Sequence, residues 1–201
     1  MMKKTYLLLI KCLSVCCPLV FASFMPFKVA YATSISVQAE IEAGTCDVSI
    51  GQPKIELKPI SDLDIKDGKQ PLNLEKITLK ISNCTGRGAA NAKPKVTITG
   101  NTIGNETHLF REATSTADKR IGIVLASKEN PGAPDSGWDN YISNKDSILI
   151  AADNVTTISK AVEKDLWLGT SCGSVKQCKG DGSALEGGVA MASFLFEFKY
   201  K

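Results

Sequence analysis

The stretch "GGVAMASFLFEFKYK", residues 187–201, decides how this chain is read. Every second residue from Gly188 runs Ala190, Ala192, Phe194, Phe196, Phe198, Tyr200. Ser193, Leu195, Glu197, Lys199 and Lys201 stand between and after the later ones. A period of two is that of a half-buried strand. The plain expectation is the last strand of a β-sandwich, already paired inside its own sheet. The sharper one is an apolar strand with an open edge, which invites pairing with another chain.

Working outward, residues 1–32 differ from the rest. "MMKK" is a basic start, "YLLLIKCLSVCCPLVFASF" is mostly apolar, and "AYA" at 30–32 fits the small-x-small rule for cleavage. The expectation is a secretory signal peptide cut after Ala32, with a cut after Ala22 as the lesser alternative. Lys11 shortens the apolar run toward the lower limit for a membrane span. A lipoprotein signal is disfavoured, because Val15 sits where a small residue is required ahead of the modified cysteine. Lys3, Lys4, Lys11 and Lys28 are four of the 24 basic residues, and none of the 21 acids lies in this segment. The remainder therefore carries 20 basic against 21 acidic residues, so the formal +3 becomes −1. That balance gives no footing for nucleic-acid binding.

Of seven cysteines, Cys12, Cys16 and Cys17 fall in the leader, leaving Cys46, Cys84, Cys172 and Cys178. An even number in an exported chain reads as disulfides. Three pairings are formally open. The short loop favours Cys172–Cys178, which leaves Cys46–Cys84 as the long-range bridge. Zinc is disfavoured: there is no CxxC pair, and His108 is the one histidine.

"TSISVQAEIEAGTC", residues 33–46, also alternates, with Ile35, Val37, Ala39, Ile41 and Ala43 on one face. "CDVSIGQPKIELKPI" is a strand broken at 51–53, and "SDLDIKDGKQP" a polar loop. Asp62, Asp64 and Asp67 resemble a calcium loop only superficially. Lys66, Asp67 and Asn73 stand where a ligand, a glycine and a glutamate are needed. Strands are expected in "LEKITLKISNC" (74–84), "PKVTITG" with Val96 and Ile98 inward, and "IGIVLAS" (121–127). Residues 147–172 are expected to hold two short strands. Residues 101–120 read as polar loop, 128–146 as a long loop rich in Pro and Gly, and 173–187 as a hairpin tip pinned by a disulfide. Short strands between turn signals make an all-β sandwich.

Catalytic chemistry finds little footing. Ser171 and Ser174 do not form GxSxG, and His108 has no nucleophile beside it. Trp138, Tyr141 and Trp167 are candidates for a sugar-stacking platform, with packing as the plainer reading. Asn105-Glu106-Thr107 is a formal glycosylation sequon. No enzyme activity, cofactor or metal is expected.

An alternating strand before the first structural cysteine and another at residues 188–200 carry a resemblance. With them go "ISNC" ending at Cys84, Leu57-x-Pro59-Ile60-Ser61, "VTITG" ending at Gly100, Gly188 fourteenth from Lys201, and Tyr200 next to it. The chain resembles the subunits of chaperone–usher fimbriae, the type 1 pilin family of Gram-negative bacteria, over residues 33–201. The resemblance implies a signal peptide at 1–32, a donor-strand extension at 33–45 and a pilin domain at 46–201. The fold implied is an incomplete immunoglobulin-like β-sandwich, completed by a donated strand. The donor residues would be Ile35, Val37, Ala39 and Ile41. The acceptor groove, which also binds the chaperone, would use Gly188, Phe194, Phe196, Phe198, Tyr200 and Lys201. The implied partners are other subunits, a periplasmic chaperone, an outer-membrane usher and a host receptor, at the cell surface. The Cys172/Cys178 pair is additional to the single bridge usual in that family. The other reading carried forward is a minor tip adhesin or carbohydrate-binding module. About 169 residues beyond position 32 leave little room for a second sandwich.

Overall fold

A computed structural model describes residues 44–65, 70–151 and 157–201. The donor residues Ile35, Val37, Ala39 and Ile41 lie outside the described residues, as does the leader. The described residues all belong to one compact unit, Ile41–Lys201.

The elements in chain order are β1 (Thr45–Ile50), α1 (Asp62–Ile65), β2 (Leu72–Thr85), β3 (Pro94–Thr99), β4 (Thr102–Ile103), β5 (Glu106–Phe110), β6 (Gly122–Ala126), β7 (Ser147–Leu149), β8 (Val162–Ser171), α2 (Val175–Lys179) and β9 (Leu195–Tyr200). Six strands form one sheet in the order β1-β2-β8-β6-β5-β4, and three form a second in the order β7-β3-β9. Every pairing is antiparallel. The class is all-β.

The two sheets share a core. Ile77 of β2, Phe110 of β5, Leu125 of β6 and Leu166 of β8 meet Ile98 of β3, with Phe194 and Phe196 packed against them. A neighbouring cluster joins Cys46, Leu79, Ile81 and Val96. The period of two explains this. In β2 the odd positions Ile77, Leu79 and Ile81 are buried, while Lys76, Thr78 and Lys80 face outward. Val96 and Ile98 are wholly buried, as their alternation predicts. β6 is buried along its whole length, with Ile123 and Leu125 in one apolar cluster and Val124 and Ala126 in another, which is why it reads as a near-continuous apolar run.

Both expected disulfides are formed, Cys46–Cys84 and Cys172–Cys178. The first ties β1 to β2 at the end where Thr45 pairs with Thr85.

Three expectations are corrected. Residues 101–120 are not all loop: β4 and β5 form a hairpin around Gly104, whose φ of 51° suits the turn. The polar surface of "NTIGNETH" hid it, since the strands are short and half-exposed. Residues 173–187 are not a simple hairpin tip. α2 forms there under a capping box, in which Ser174 Oγ accepts from Gln177 N and Gln177 Oε1 accepts from Ser174 N. Gly180 follows it as the C-cap. The loop at 61–65 holds a single helical turn, with Ser61 Oγ accepting from Leu63 N at 3.1 Å.

Removing the Cys46–Cys84 bridge, which closes a span of 38 residues, should lower unfolding stability by about 3–4 kcal/mol. Urea titration of Cys46→Ala/Cys84→Ala under non-reducing conditions measures it. A loss below ~1 kcal/mol would place the clamp elsewhere.

Candidate functional site

The alternating C-terminal stretch is one strand in pattern but two in pairing. From Leu195 to Tyr200 it is β9, bonded to β3 with Leu195 opposite Thr99 and Tyr200 opposite Pro94. From Glu186 to Ser193 it leaves that sheet and lies against the loop at 112–118. There Glu112 N donates to Met191 O at 2.7 Å and Thr116 N to Val189 O at 2.8 Å. Val189 N donates to Thr116 Oγ1, and Met191 N to Ser115 Oγ, each at 3.0 Å. Thus Val189 and Met191 spend their backbone groups on one side. In an extended chain the intervening residues point their N–H and C=O groups to the other side. Ala190 and Ala192 have no hydrogen-bond partner there among the described residues.

That other side is a groove of about 1020 Å³. One wall is residues 185–196. The facing wall is Ile50 at the end of β1 and the chain after it, where Ile55, Leu57 and Ile60 are half-buried without strand pairing. Ile77, Ile123 and Leu168, all members of the main core, form the floor. Ala190, Ala192, Phe194 and Phe196 are half-buried in turn, and Val189, Met191 and Leu195 between them are exposed. The groove therefore runs down to the main core along a gap between two chain segments, with its floor residues themselves buried. Among the described residues each sheet has an edge strand here with a single strand partner, β1 in the larger and β9 in the smaller.

The expected acceptor residues divide. Gly188, Phe194 and Phe196 line the groove. Phe198 and Tyr200 continue the same face past its end, where β9 comes alongside β1. Phe198 packs against the second core cluster. Tyr200 meets Phe198 edge-on, centroids 5.1 Å apart, and lies under Gly88, where a Cβ would come 2.5 Å from its ring. Lys201 is exposed, and its backbone exchanges two bonds with Lys93, at 2.7 and 3.0 Å.

Gly188 has a clear local reason. Its φ is 153°, and a Cβ would fall 2.5 Å from Ala117 N and 2.6 Å from Thr116 O. Only a residue without a side chain lets the wall lie this close to the 112–118 loop.

Sequence reading did not find what holds that loop. Arg111 donates from Nη1 to Ile121 O at 2.8 Å and from Nη2 to Ala117 O at 2.7 Å. Asp118 and Arg120 pair at 2.7 Å with both side chains largely buried. The Asp118 carboxylate also accepts from Glu186 N at 3.2 Å, which fixes the beginning of the wall. The hydrogen bond from the Arg120 side chain holds the Asp118 carboxyl well below the usual carboxylate range, against the opposing effect of burial. Charged residues close in sequence carry no periodic signal. Their role appears only when residues 118, 120 and 186 meet in space.

The other candidates lie away from the groove. Tyr141 is buried, donates to Gly132 O, and has its phenol pushed up to about 12 by burial. Trp138 stacks on His108 with centroids 4.6 Å apart and meets Tyr141 edge-on. Burial pulls the His108 imidazole below its ordinary value. With Trp167 these rings cover Leu109, Val124 and Ala126 of the larger sheet, so they serve as packing. No group of three or more metal-ligating side chains is found among the described residues.

The chain matches no model of a known protein family. It matches no curated protein either.

Gly188→Ala should cost about 1–3 kcal/mol, the price of one strained backbone position. Chemical denaturation would detect it, and an unchanged midpoint would mean the 112–118 contact is not held in solution. Asp118→Asn should destabilise the chain at pH 7. The folded carboxyl lies below its unfolded value of about 3.9, so its contribution is whole above that value and drains away as pH falls through the folded one. The stability gap between wild type and variant should accordingly narrow below pH ~4. A gap that stays constant down to the acid limit would dissociate it from this ionisation.

Proposed function

We propose that the chain is a structural subunit of a chaperone–usher fimbria, built on an immunoglobulin-like sandwich that lacks one strand. The observation that carries this reading is the groove. One wall has its backbone bonded on one side and open on the other, and its half-buried residues repeat every two positions. A site of that shape fits an extended strand. Backbone bonds give affinity, and side chains at alternate positions give specificity.

The strand proposed to fill it is residues 33–45 of another subunit. Ile35, Val37, Ala39 and Ile41 cover seven residues, six steps along the chain, the same distance as Ala190 to Phe196 on the wall. At about 3.4 Å per residue both runs are roughly 20 Å long. Burying three or four such side chains contributes about 1.5–3 kcal/mol each before ordering costs. Before assembly, a periplasmic chaperone would cover the groove, and an outer-membrane usher would exchange it for the next subunit. Export through the periplasm to the cell surface follows from this reading, and the two disulfides are compatible with it. No enzyme activity, cofactor or nucleic acid enters the proposal. A carbohydrate-binding module at the fimbrial tip is the weaker reading, because the aromatic rings it would use are packed on one another.

The test is to move residues 33–45 behind Lys201 through a short linker, and to compare thermal unfolding and size with the unaltered order. The relocated form should be a more stable monomer, and the unaltered form should polymerise or unfold readily. Two forms of equal stability, both monomeric, would end the fimbrial reading.

A further inference from the structure

The groove wall begins at Leu185, which packs where β8 gives way to α2. Cys172 follows the last residue of β8 and Cys178 lies in α2. Both are buried, and they pack with Ile65, Ala117, Ile121 and Leu185. Those four residues also line the groove. The disulfide therefore stands directly behind the end wall. No strand pairing holds residues 173–187. What positions them is the bridge, the capping box of α2, and Arg120, whose Nη1 donates to the carbonyls of Cys178, Lys179 and Ser183, each at 3.3 Å. Its Nη2 reaches Ala184 O at 3.0 Å, next to Leu185.

An alternating strand has a register problem. A slip of one residue turns its apolar face outward and is rejected, but a slip of two keeps the face and costs little. The wall repeats every two residues as well, so the alternation alone cannot stop such a slip. Something at an end of the groove must.

We infer that the Cys172–Cys178 loop is part of the strand-binding site. It builds the end pocket that receives the outermost apolar side chain of the incoming strand, and so sets the register. This rests on the groove being a strand acceptor, as proposed above. The occupant is the 33–43 segment of a second copy, whose apolar residues match the wall in spacing and length.

The test uses the full chain, at concentrations where copies remain apart, and a fluorescent peptide of residues 33–43 read by anisotropy. Peptides carrying Ile35→Ala or Ile41→Ala probe the two ends. Wild type should bind the peptide, and Cys172→Ala/Cys178→Ala should bind it about tenfold more weakly, the share of roughly one apolar side chain. One terminal substitution should weaken binding to wild type yet add little in the double variant. The other should weaken both proteins equally. Leu185→Ala, which keeps both bridges and empties the same pocket, should repeat that one-ended pattern and so covers a double variant that fails to fold. Undiminished affinity, or losses that add at both ends, would reduce the bridge to a stabiliser and overturn the inference. If wild type itself binds no peptide, the strand-acceptor reading falls and the register inference falls with it.

Discussion

The backbone of residues 186–193 is held from one side only, and much of the structure exists to hold it. The 112–118 loop supplies the bonds. Arg111 fixes that loop by donating to the carbonyls of Ser115, Ala117 and Ile121, and the Asp118–Arg120 pair holds its far end. Gly188 lets the two segments touch. On the far side of the groove Ile55 and Leu57 reach the core as side chains without their backbone joining a strand. The result is a linear opening beside the apolar core, bordered by the peptide groups of Ala190 and Ala192, which have no hydrogen-bond partner among the described residues. Buried peptide groups need partners and exposed core needs cover. A single extended strand would provide both at once, which supports the proposed reading of the opening as a strand acceptor.

Much of this was legible in the alternation of the sequence. Val96, Ile98, Ile77, Leu79 and Ile81 are inward as their spacing requires, and the continuous run in β6 correctly indicates a strand covered on both faces. The half-buried set from Ala190 to Tyr200 is also as written in the chain. What alternation does not carry is the choice of neighbour. Residues 188–200 keep one pattern while passing from a loop partner to a strand partner, and only the fold distinguishes Phe196, in the groove, from Phe198, beyond it. Nor does pattern reveal contacts made by irregular backbone, such as Arg120 on the 178–184 loop. α2 was missed because a helix of five residues is shorter than the period needed to recognise it.

The two disulfides have different surroundings. Cys46–Cys84 joins adjacent strands at one margin of the larger sheet, where the ladder already runs. Cys172–Cys178 closes a short loop that has no ladder to hold it, and packs into a separate small core with Ile65 and Leu185. Bridging where the backbone pattern is weakest confines the loop even when a chain this size has little core to spare there.

The pairing of β9 with β3 has a consequence in time. Leu195–Tyr200 must find Pro94–Thr99 across half the sequence, and contacts so distant along the chain form slowly because the loop between them must close first. Until they do, β3 has β7 alone beside it, and Phe194, Phe196 and Phe198 are a bare, strand-forming aromatic row. Such a row is among the stickiest intermediates a folding chain can present. A closure of this range leaves the row open while it waits, so the yield of soluble protein should depend on how quickly that row is covered as well as on how stable the finished sheets are.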